Sequence, residues 1–282
     1  DSLDHARRGN ELPPNPDFAD FMAHELLPWL RAKSDETIVS HDLHVFGLTE
    51  PQVQEKLADL MDNAVNPSLA PYAKTGEVML RLTAKGESEA DCEERMAPLF
   101  WDVRARLGDW LYAVDTPGLE GRVLQLLKER GLTFSAAESC TGGLIAKRIT
   151  DLSGASAVFC GGVVSYTNAV KAGVLGVPEE LLAQYTAVSE PVARAMAEGV
   201  RALTGSDLAV SVTGVAGPGP DDDGHPEGLV YAALTDGEHT WVRRLELGTG
   251  RGRIRVMAAH HAFDLLRRYL TQLPITEETE GE

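Results

Sequence analysis

Phe134-Ser135-Ala136-Ala137-Glu138-Ser139-Cys140-Thr141-Gly142-Gly143 decides how this chain is read, because a short apolar run ends there in a serine and a thiol, followed by two glycines at the entrance to a helix. A strand that exits into a helix is where an α/β protein presents a nucleophile beside the N–H groups of a turn. The glycines let a substrate come close to the backbone. Downstream, the spacing predicts a helix over about 141–150 and a second strand over about 157–165. Strand, helix and strand in that order imply a parallel crossover. The ten residues alone also fit an ordinary helix start with no chemistry.

Working outward, Leu119, Val123, Leu126 and Leu127 mark one face of a helix over 119–130, and Gly131 supplies its stop. Further on, a helix is expected over 191–203, a buried strand over 207–213, and strands over 229–234 and 241–247 around Asp236-Gly237, with a closing helix over 252–270. These elements predict an α/β sandwich domain over 119–271. Residues 272–282 are acidic, with little to bury, and read as a flexible tail.

Before the hinge signal Asp115-Thr116-Pro117-Gly118 lies a smaller α+β domain over 18–115. Its expected elements are a helix over 18–32 disturbed by Pro28, a strand over 37–46 and a helix over 51–60. An irregular stretch from Asn66-Pro67 follows, then an alternating strand over 77–84, a helix over 88–107 and a strand over 110–114. Residues 1–17, with Pro13, Pro14 and Pro16, read as a linker or disordered start.

The chain has 282 residues, 43% of them hydrophobic, enough for a sizeable core. Lys plus Arg number 26 against 43 Asp plus Glu, a formal charge of -17, which disfavours non-specific binding to nucleic acid. Only Cys92, Cys140 and Cys160 are present, without a C-x-x-C pair, as suits reduced intracellular thiols. No signal peptide and no apolar run near the roughly 18 residues of a membrane span are visible, so a cytoplasmic protein is expected.

If Ser139 does chemistry, its base comes from elsewhere. Lys147 stands eight residues along the next helix, about 12 Å of rise, and is poorly placed. Lys171 lies just beyond the next parallel strand, in Ser165-Tyr166-Thr167-Asn168-Ala169-Val170-Lys171, and ligands of open α/β sheets gather at the carboxyl ends of strands. Tyr166, from the same loop, is expected to orient that lysine or pass its proton. Desolvation in a pocket of Ala and Gly would keep the amine neutral. Cys140 is the alternative nucleophile, or else a small packing residue. Gly217-Pro218-Gly219 and Gly248-Thr249-Gly250 suggest phosphate loops, but neither completes G-x-G-x-x-G. His260 and His261 are adjacent and face different ways, and neither His225 nor His239 has a partner at ligand spacing, so no metal is expected.

Ala137-Glu138-Ser139-Cys140-Thr141-Gly142-Gly143, Gly161-Gly162-Val163-Val164-Ser165-Tyr166-Thr167-Asn168-Ala169-Val170-Lys171, Ala187-Val188-Ser189-Glu190 and Ser211-Val212-Thr213-Gly214-Val215-Ala216-Gly217-Pro218-Gly219 together resemble the C-terminal domain of the CinA competence/damage-inducible family, the nicotinamide mononucleotide deamidases. Phe46-Gly47-Leu48-Thr49-Glu50 and the stretch from Asn66 to Val78 resemble the middle domain of longer CinA proteins, with a KH-like order of elements. RNA binding by that domain is a weak reading, since no G-x-x-G loop flanked by bases is present.

The resemblance implies Ser139 as nucleophile, assisted by Tyr166 and Lys171. It implies hydrolysis of the carboxamide of nicotinamide mononucleotide to nicotinate mononucleotide and ammonia through an acyl-enzyme. The substrate would be the pyridine mononucleotide, with no cofactor, and the chain is expected to be a homodimer. Cys140, Thr141, Gly142 and Gly143 would surround the oxyanion, with Arg148, Thr213, Gly214 and Gly217 near the substrate and its phosphate. The molybdopterin-binding-like N-terminal domain of longer relatives is not matched here, so its pyrophosphatase activity and metal are not carried over. One departure stands out: where relatives continue G-P-G with another glycine, this chain has Gly219-Pro220-Asp221-Asp222-Asp223-Gly224, whose carboxylates either repel a phosphate or sit at a loop tip. The alternative reading is a non-catalytic competence or DNA-damage interaction protein with a decayed nucleotide pocket.

Overall fold

The computed structural model describes residues 20–26 and 36–275. The expected linker over 1–17 and residues 276–282 of the acidic tail lie outside the described residues. So does most of the helix expected over 18–32, of which Met22–Leu26 forms a π-helical turn. The described residues divide into two compact units: those up to His41 with Gln54–Ala70 and Arg81–Gly108 make one, and Asp42–Val53, Pro71–Leu80 and those from Asp109 onward the other. The fold is mixed α/β, with two sheets: a four-stranded one from residues before Asp115 and a five-stranded one from residues after it.

The first sheet combines β1 (Thr37–Val45), β2 (Ser68–Lys74), β3 (Glu77–Gly86) and β4 (Leu111–Val114) in the order β2-β3-β1-β4. Two helices accompany it, α1 (Glu50–Asn63) and α2 (Glu89–Leu107). The side chain of Ser88 caps α2 by accepting from the Asp91 N–H at 3.2 Å. β2 corrects the expectation of an irregular stretch after Asn66-Pro67. Pro71 weakens the strand signal, but an edge strand tolerates a proline because one side of its backbone needs no partner.

The second sheet follows α3 (Leu119–Arg130), which ends on left-handed Gly131. Its strands are β5 (Phe134–Glu138), β6 (Phe159–Val164), β7 (Leu208–Gly214), β8 (Leu229–Thr235) and β9 (Thr240–Glu246), in the order β6-β5-β7-β8-β9. The helices between and after them are α4 (Leu144–Thr150), α5 (Asn168–Leu175), α6 (Glu179–Tyr185), α7 (Glu190–Thr204) and α8 (Arg251–Leu270). β6, β5 and β7 run parallel, while β7, β8 and β9 pair antiparallel. α5 and α6 replace what reads in sequence as loop; at seven or eight residues each, they are too short to display a helical period.

Alternation along the strands builds a three-layer sandwich. Phe134 and Ala136 of β5, Val210 and Val212 of β7, and Val230 and Ala232 of β8 pack on one face with Val123 of α3, Ile145 and Ile149 of α4, and Ile254 and Phe263 of α8. Ala137 and Ala209 point the other way, against Val192, Met196 and Val200 of α7. The crossover after β5 thus packs on one face, and the helices after β6 on the other. This places a switch point of strand order at the carboxyl ends of β5, β6 and β7, where open α/β sheets bind ligands.

Buried Asp264 of α8 anchors the far end of the sandwich. It accepts from Arg243 Nη1 of β9 at 2.9 Å, from Arg267 Nε and Nη2 at 2.9 and 2.6 Å, and from Arg268 Nε at 3.2 Å. Beyond α8, Arg243 also donates to Ile275 O and Arg268 to Pro274 O, so the start of the expected flexible tail is tied to the sheet. Among the described residues, no helix is long and apolar enough to cross a membrane.

Candidate active site

Three strand ends bring the chemistry together. Ser139 follows β5, Ser165 follows β6, and Gly214 closes β7. The backbone locks the first two in place: Ser139 N–H donates to Val212 O at 2.9 Å, and Ser165 N–H to Glu138 O at 2.8 Å. Thr167 then caps α5, and one turn on, the helix turns Lys171 inward. Lys171 is therefore on a helix, not in the expected loop.

Lys171 is only 1% exposed. Its Nζ donates to Ser165 O at 2.8 Å and lies 3.2 Å from Ser139 Oγ. Burial holds its pKa below the ordinary lysine range, and the neighbouring Cys140 thiol opposes that only in part. A largely buried serine beside a desolvated amine is an arrangement for nucleophilic catalysis. Both residues line a cavity of about 470 Å³, with Cys140, Tyr166, Thr213 and Arg251 among its other walls. Burial pushes the Cys140 thiol up to about 12, which leaves it protonated near neutral pH.

The turn after Ser139 differs from the expectation for its N–H groups. Glu138, 1% exposed, turns its carboxylate back onto the start of α4. It accepts from the N–H groups of Gly143 at 2.9 Å, Ile145 at 3.0 Å and Ala146 at 2.9 Å. Gly142 N–H donates to Ser139 O at 3.1 Å. The Gly142 and Gly143 donors expected to face the oxyanion are thus already engaged. The two glycines instead serve the backbone, with φ of +59° and +92°. Arg255 of α8 braces the same turn by donating to Thr141 O at 2.8 Å.

Other expected residues are placed differently. Arg148 does not line the cavity; it pairs with Glu120 and lies over the ring of Phe263, 5.3 Å from its centroid. The Tyr166 hydroxyl is 3.3 Å from Arg251 Nη2, so it meets that guanidinium and not Lys171. Thr213 lines the cavity, but its hydroxyl donates to Ala187 O at 2.7 Å. Gly214 also lines it, and a side chain there would collide with Leu229 O of β8. Gly217 belongs to the cavity wall, with its carbonyl accepting from Arg251 Nη1 at 2.7 Å.

The aspartate run divides. Asp221 and Asp222 line the cavity, whereas Asp223 is exposed. Asp221 binds His225 Nδ1 at 2.9 Å, and His225 Nε2 is 3.3 Å from Thr186 Oγ1. His225 therefore has partners at ligand spacing after all, since Asp221, Asp223 and His225 place donor atoms within 4.8 Å of one another. Both its ring nitrogens are already engaged, however, and a cation would have to displace one of those contacts. Glu227 ties the two glycine loops together, accepting from Gly219 N–H at 2.8 Å and Gly250 N–H at 2.9 Å.

Sequence reasoning overlooked Glu138, Glu227, Arg251 and Arg255. A signal for Arg251 existed: Arg251, Arg253 and Arg255 crowd the first turns of α8, where the helix dipole disfavours cations. Positive charge kept against that field points to a job elsewhere.

Two family models match the chain, the CinA C-terminal domain over residues 117–270 and the damage-inducible protein CinA KH domain over residues 40–113. A CinA-like protein of Desulfovibrio desulfuricans is 43% identical over 266 residues, covering 93% of this chain and 62% of that protein. A second, from Kosmotoga olearia, is 42% identical over 248 residues, covering 88% of this chain and 60% of that protein. The chain thus spans about three fifths of the length of these curated relatives. Among solved structures, the competence/damage inducible protein CihA of Agrobacterium tumefaciens is similar with a TM-score of 0.53 and 39% identity, over 56% of this chain and 98% of that one. The competence damage-inducible protein A of Klebsiella pneumoniae gives 0.54 and 33%, over 55% and 97%.

Proposed function

The chain belongs to the CinA family, and from that premise we propose that its C-terminal domain is a serine amidohydrolase acting on the carboxamide of nicotinamide mononucleotide. The observation that carries this reading is the Lys171 amine, buried without a carboxylate partner among the described residues and 3.2 Å from Ser139 Oγ. Ser139 Oγ attacks the carboxamide carbon while its proton passes to Lys171 Nζ and the carbonyl electron pair moves onto oxygen. With the Gly142 and Gly143 donors engaged, the N–H groups of Cys140 and Thr141 are the turn's remaining candidates to hold the oxyanion in this reading. Lys171 returns the proton to the leaving nitrogen as the C–N bond breaks, and ammonia departs. Water, deprotonated by the same amine, then attacks the acyl-enzyme, and Lys171 passes that proton to Ser139 Oγ as the ester C–O bond breaks, releasing nicotinate mononucleotide and restoring the serine.

Arg251 takes the phosphate in this reading, with Tyr166 steadying the guanidinium. The acidic lip at Asp222 and the net charge of -17 favour the cationic pyridinium ring. The test is ammonia release by the purified chain from nicotinamide mononucleotide, the riboside, the dinucleotide and free nicotinamide. Release fastest from the mononucleotide, and reduced about 10⁴-fold or more in Ser139→Ala, is the expected result. Equal rates for wild type and Ser139→Ala would remove the serine mechanism.

A further inference from the structure

Ser165 holds the base through its carbonyl, and the mechanism above leaves its side chain unused. The residue is fully buried, and its hydroxyl has no hydrogen-bond partner among the described residues. Its backbone is fully committed, with the N–H on Glu138 O and the C=O accepting from Lys171 Nζ, both at 2.8 Å. An unpartnered buried hydroxyl costs stability that alanine at the same position would avoid. Positions that break a local rule in this way tend to be functional.

The donors of Lys171 indicate what that hydroxyl is for. As a neutral base, the amine turns its lone pair to the Ser139 hydroxyl and one N–H to Ser165 O. Once it holds the Ser139 proton it is an ammonium with three donors and no acceptor. Ser165 O and the former hydroxyl oxygen of Ser139 meet two of them. Nζ makes no third hydrogen bond among the described residues. Ser165 Oγ is carried by the residue that already binds Nζ, and rotation about Cα–Cβ moves it among three staggered positions. Thr141 Oγ1 is also buried and unpartnered, but no bond ties Thr141 to Lys171.

We infer that the Ser165 hydroxyl is a positioning group that accepts the third N–H of the Lys171 ammonium as acylation proceeds. This rests on the Ser139–Lys171 reading and adds no covalent step. The proton still moves from Ser139 to Lys171 and then to the leaving nitrogen, while Ser165 neither gains nor loses one. The orphaned hydroxyl is thus the waiting partner of a charge that exists only during turnover.

The experiment compares wild type, Ser165→Ala and Ser139→Ala by two readouts. One is the rate of covalent labelling of Ser139 by a fluorophosphonate, followed by intact mass, which reports the activated serine whatever the natural substrate. The other is single-turnover hydrolysis of nicotinamide mononucleotide, with denaturant unfolding as a check on the fold. Ser165→Ala is expected to label and to acylate roughly tenfold to hundredfold more slowly, with unchanged substrate affinity and unfolding midpoint equal to or above wild type. Labelling and acylation at the wild-type rate would overturn the proposal and leave the Ser139–Lys171 pair standing. So would slowing that is matched by a loss of folded protein. Wild type that resists labelling would overturn both, and wild type that labels but leaves the mononucleotide intact would remove only the substrate assignment.

Discussion

Lys171 and Arg267 are both buried basic side chains, 1% and 4% exposed, in the same α/β sandwich, yet their surroundings are opposite. Arg267 shares Asp264 with Arg243 and Arg268, so the charges there are paired and hydrogen-bonded. Although burial works to raise the Asp264 carboxyl, Arg267 and Arg243 outweigh it and hold the group below the usual carboxylate range. Among the described residues, the Lys171 amine hydrogen-bonds only with a carbonyl and a hydroxyl, and burial drives it toward the neutral form. A buried cation with its counter-ion fastens structure; a buried amine without one is available to move protons.

The sharpest way to break this contrast is to remove each group in turn. Lys171→Met should slow acylation of Ser139 by about 10²–10⁴-fold in single-turnover kinetics. The same variant should unfold at equal or higher denaturant, since an unpaired amine no longer has to be buried. If acylation stays near normal while nucleotide binding weakens, Lys171 is a phosphate contact and the serine needs another base. Asp264→Ala should do the reverse: it leaves three guanidinium groups without their carboxylate, and stability should fall by about 3–5 kcal/mol in denaturant unfolding. Stability within about 1 kcal/mol of wild type would show that the arginines find other partners.

pH separates the two groups further. Lys171 has a depressed folded pKa, so the unfolded chain binds the extra proton. Its contribution to stability is complete only above the unfolded value of about 10.4 and is lost as pH falls toward the folded one. Unfolding free energy should therefore rise with alkaline pH in wild type, and this slope should be absent in Lys171→Met. Asp264 is also depressed, and its contribution is present above the unfolded value of about 3.9 and lost as pH falls through the folded one. Acid unfolding should accordingly be less steep in Asp264→Asn, and unchanged curves in both variants would erase the comparison. The smallest effect belongs to Cys140→Ala, which removes a thiol already held protonated but keeps its backbone N–H. Hydrolysis within roughly tenfold of wild type is expected, and a loss comparable with that of Ser139→Ala would make the thiol the nucleophile.

Much of the fold was legible because its signals are local. Gly131 stops α3, the apolar runs at 134–138 and 208–214 are buried on both faces, and α8 carries a long helical stripe. β2 was hidden by Pro71, and α5 and α6 by their shortness. The edge position of β2 and the packing of Leu175 against α7 decide those segments, and neither can be seen in a window of residues.

The candidate site divides in the same way. The sequence by itself determined that Ser139 and Lys171 fall beyond the ends of consecutive parallel strands, because alternation and crossover order depend on residues close in the chain. Only the tertiary structure decided which polar atoms meet there. It turned Glu138 onto the α4 amides, sent Arg148 to Glu120, brought Arg251 against Tyr166 from 85 residues away, set the Ser165 carbonyl on Lys171 and left the Ser165 hydroxyl unpartnered. These outcomes depend on long-range packing, where a side chain's partner is whatever polar group the folded backbone places within hydrogen-bond distance of it.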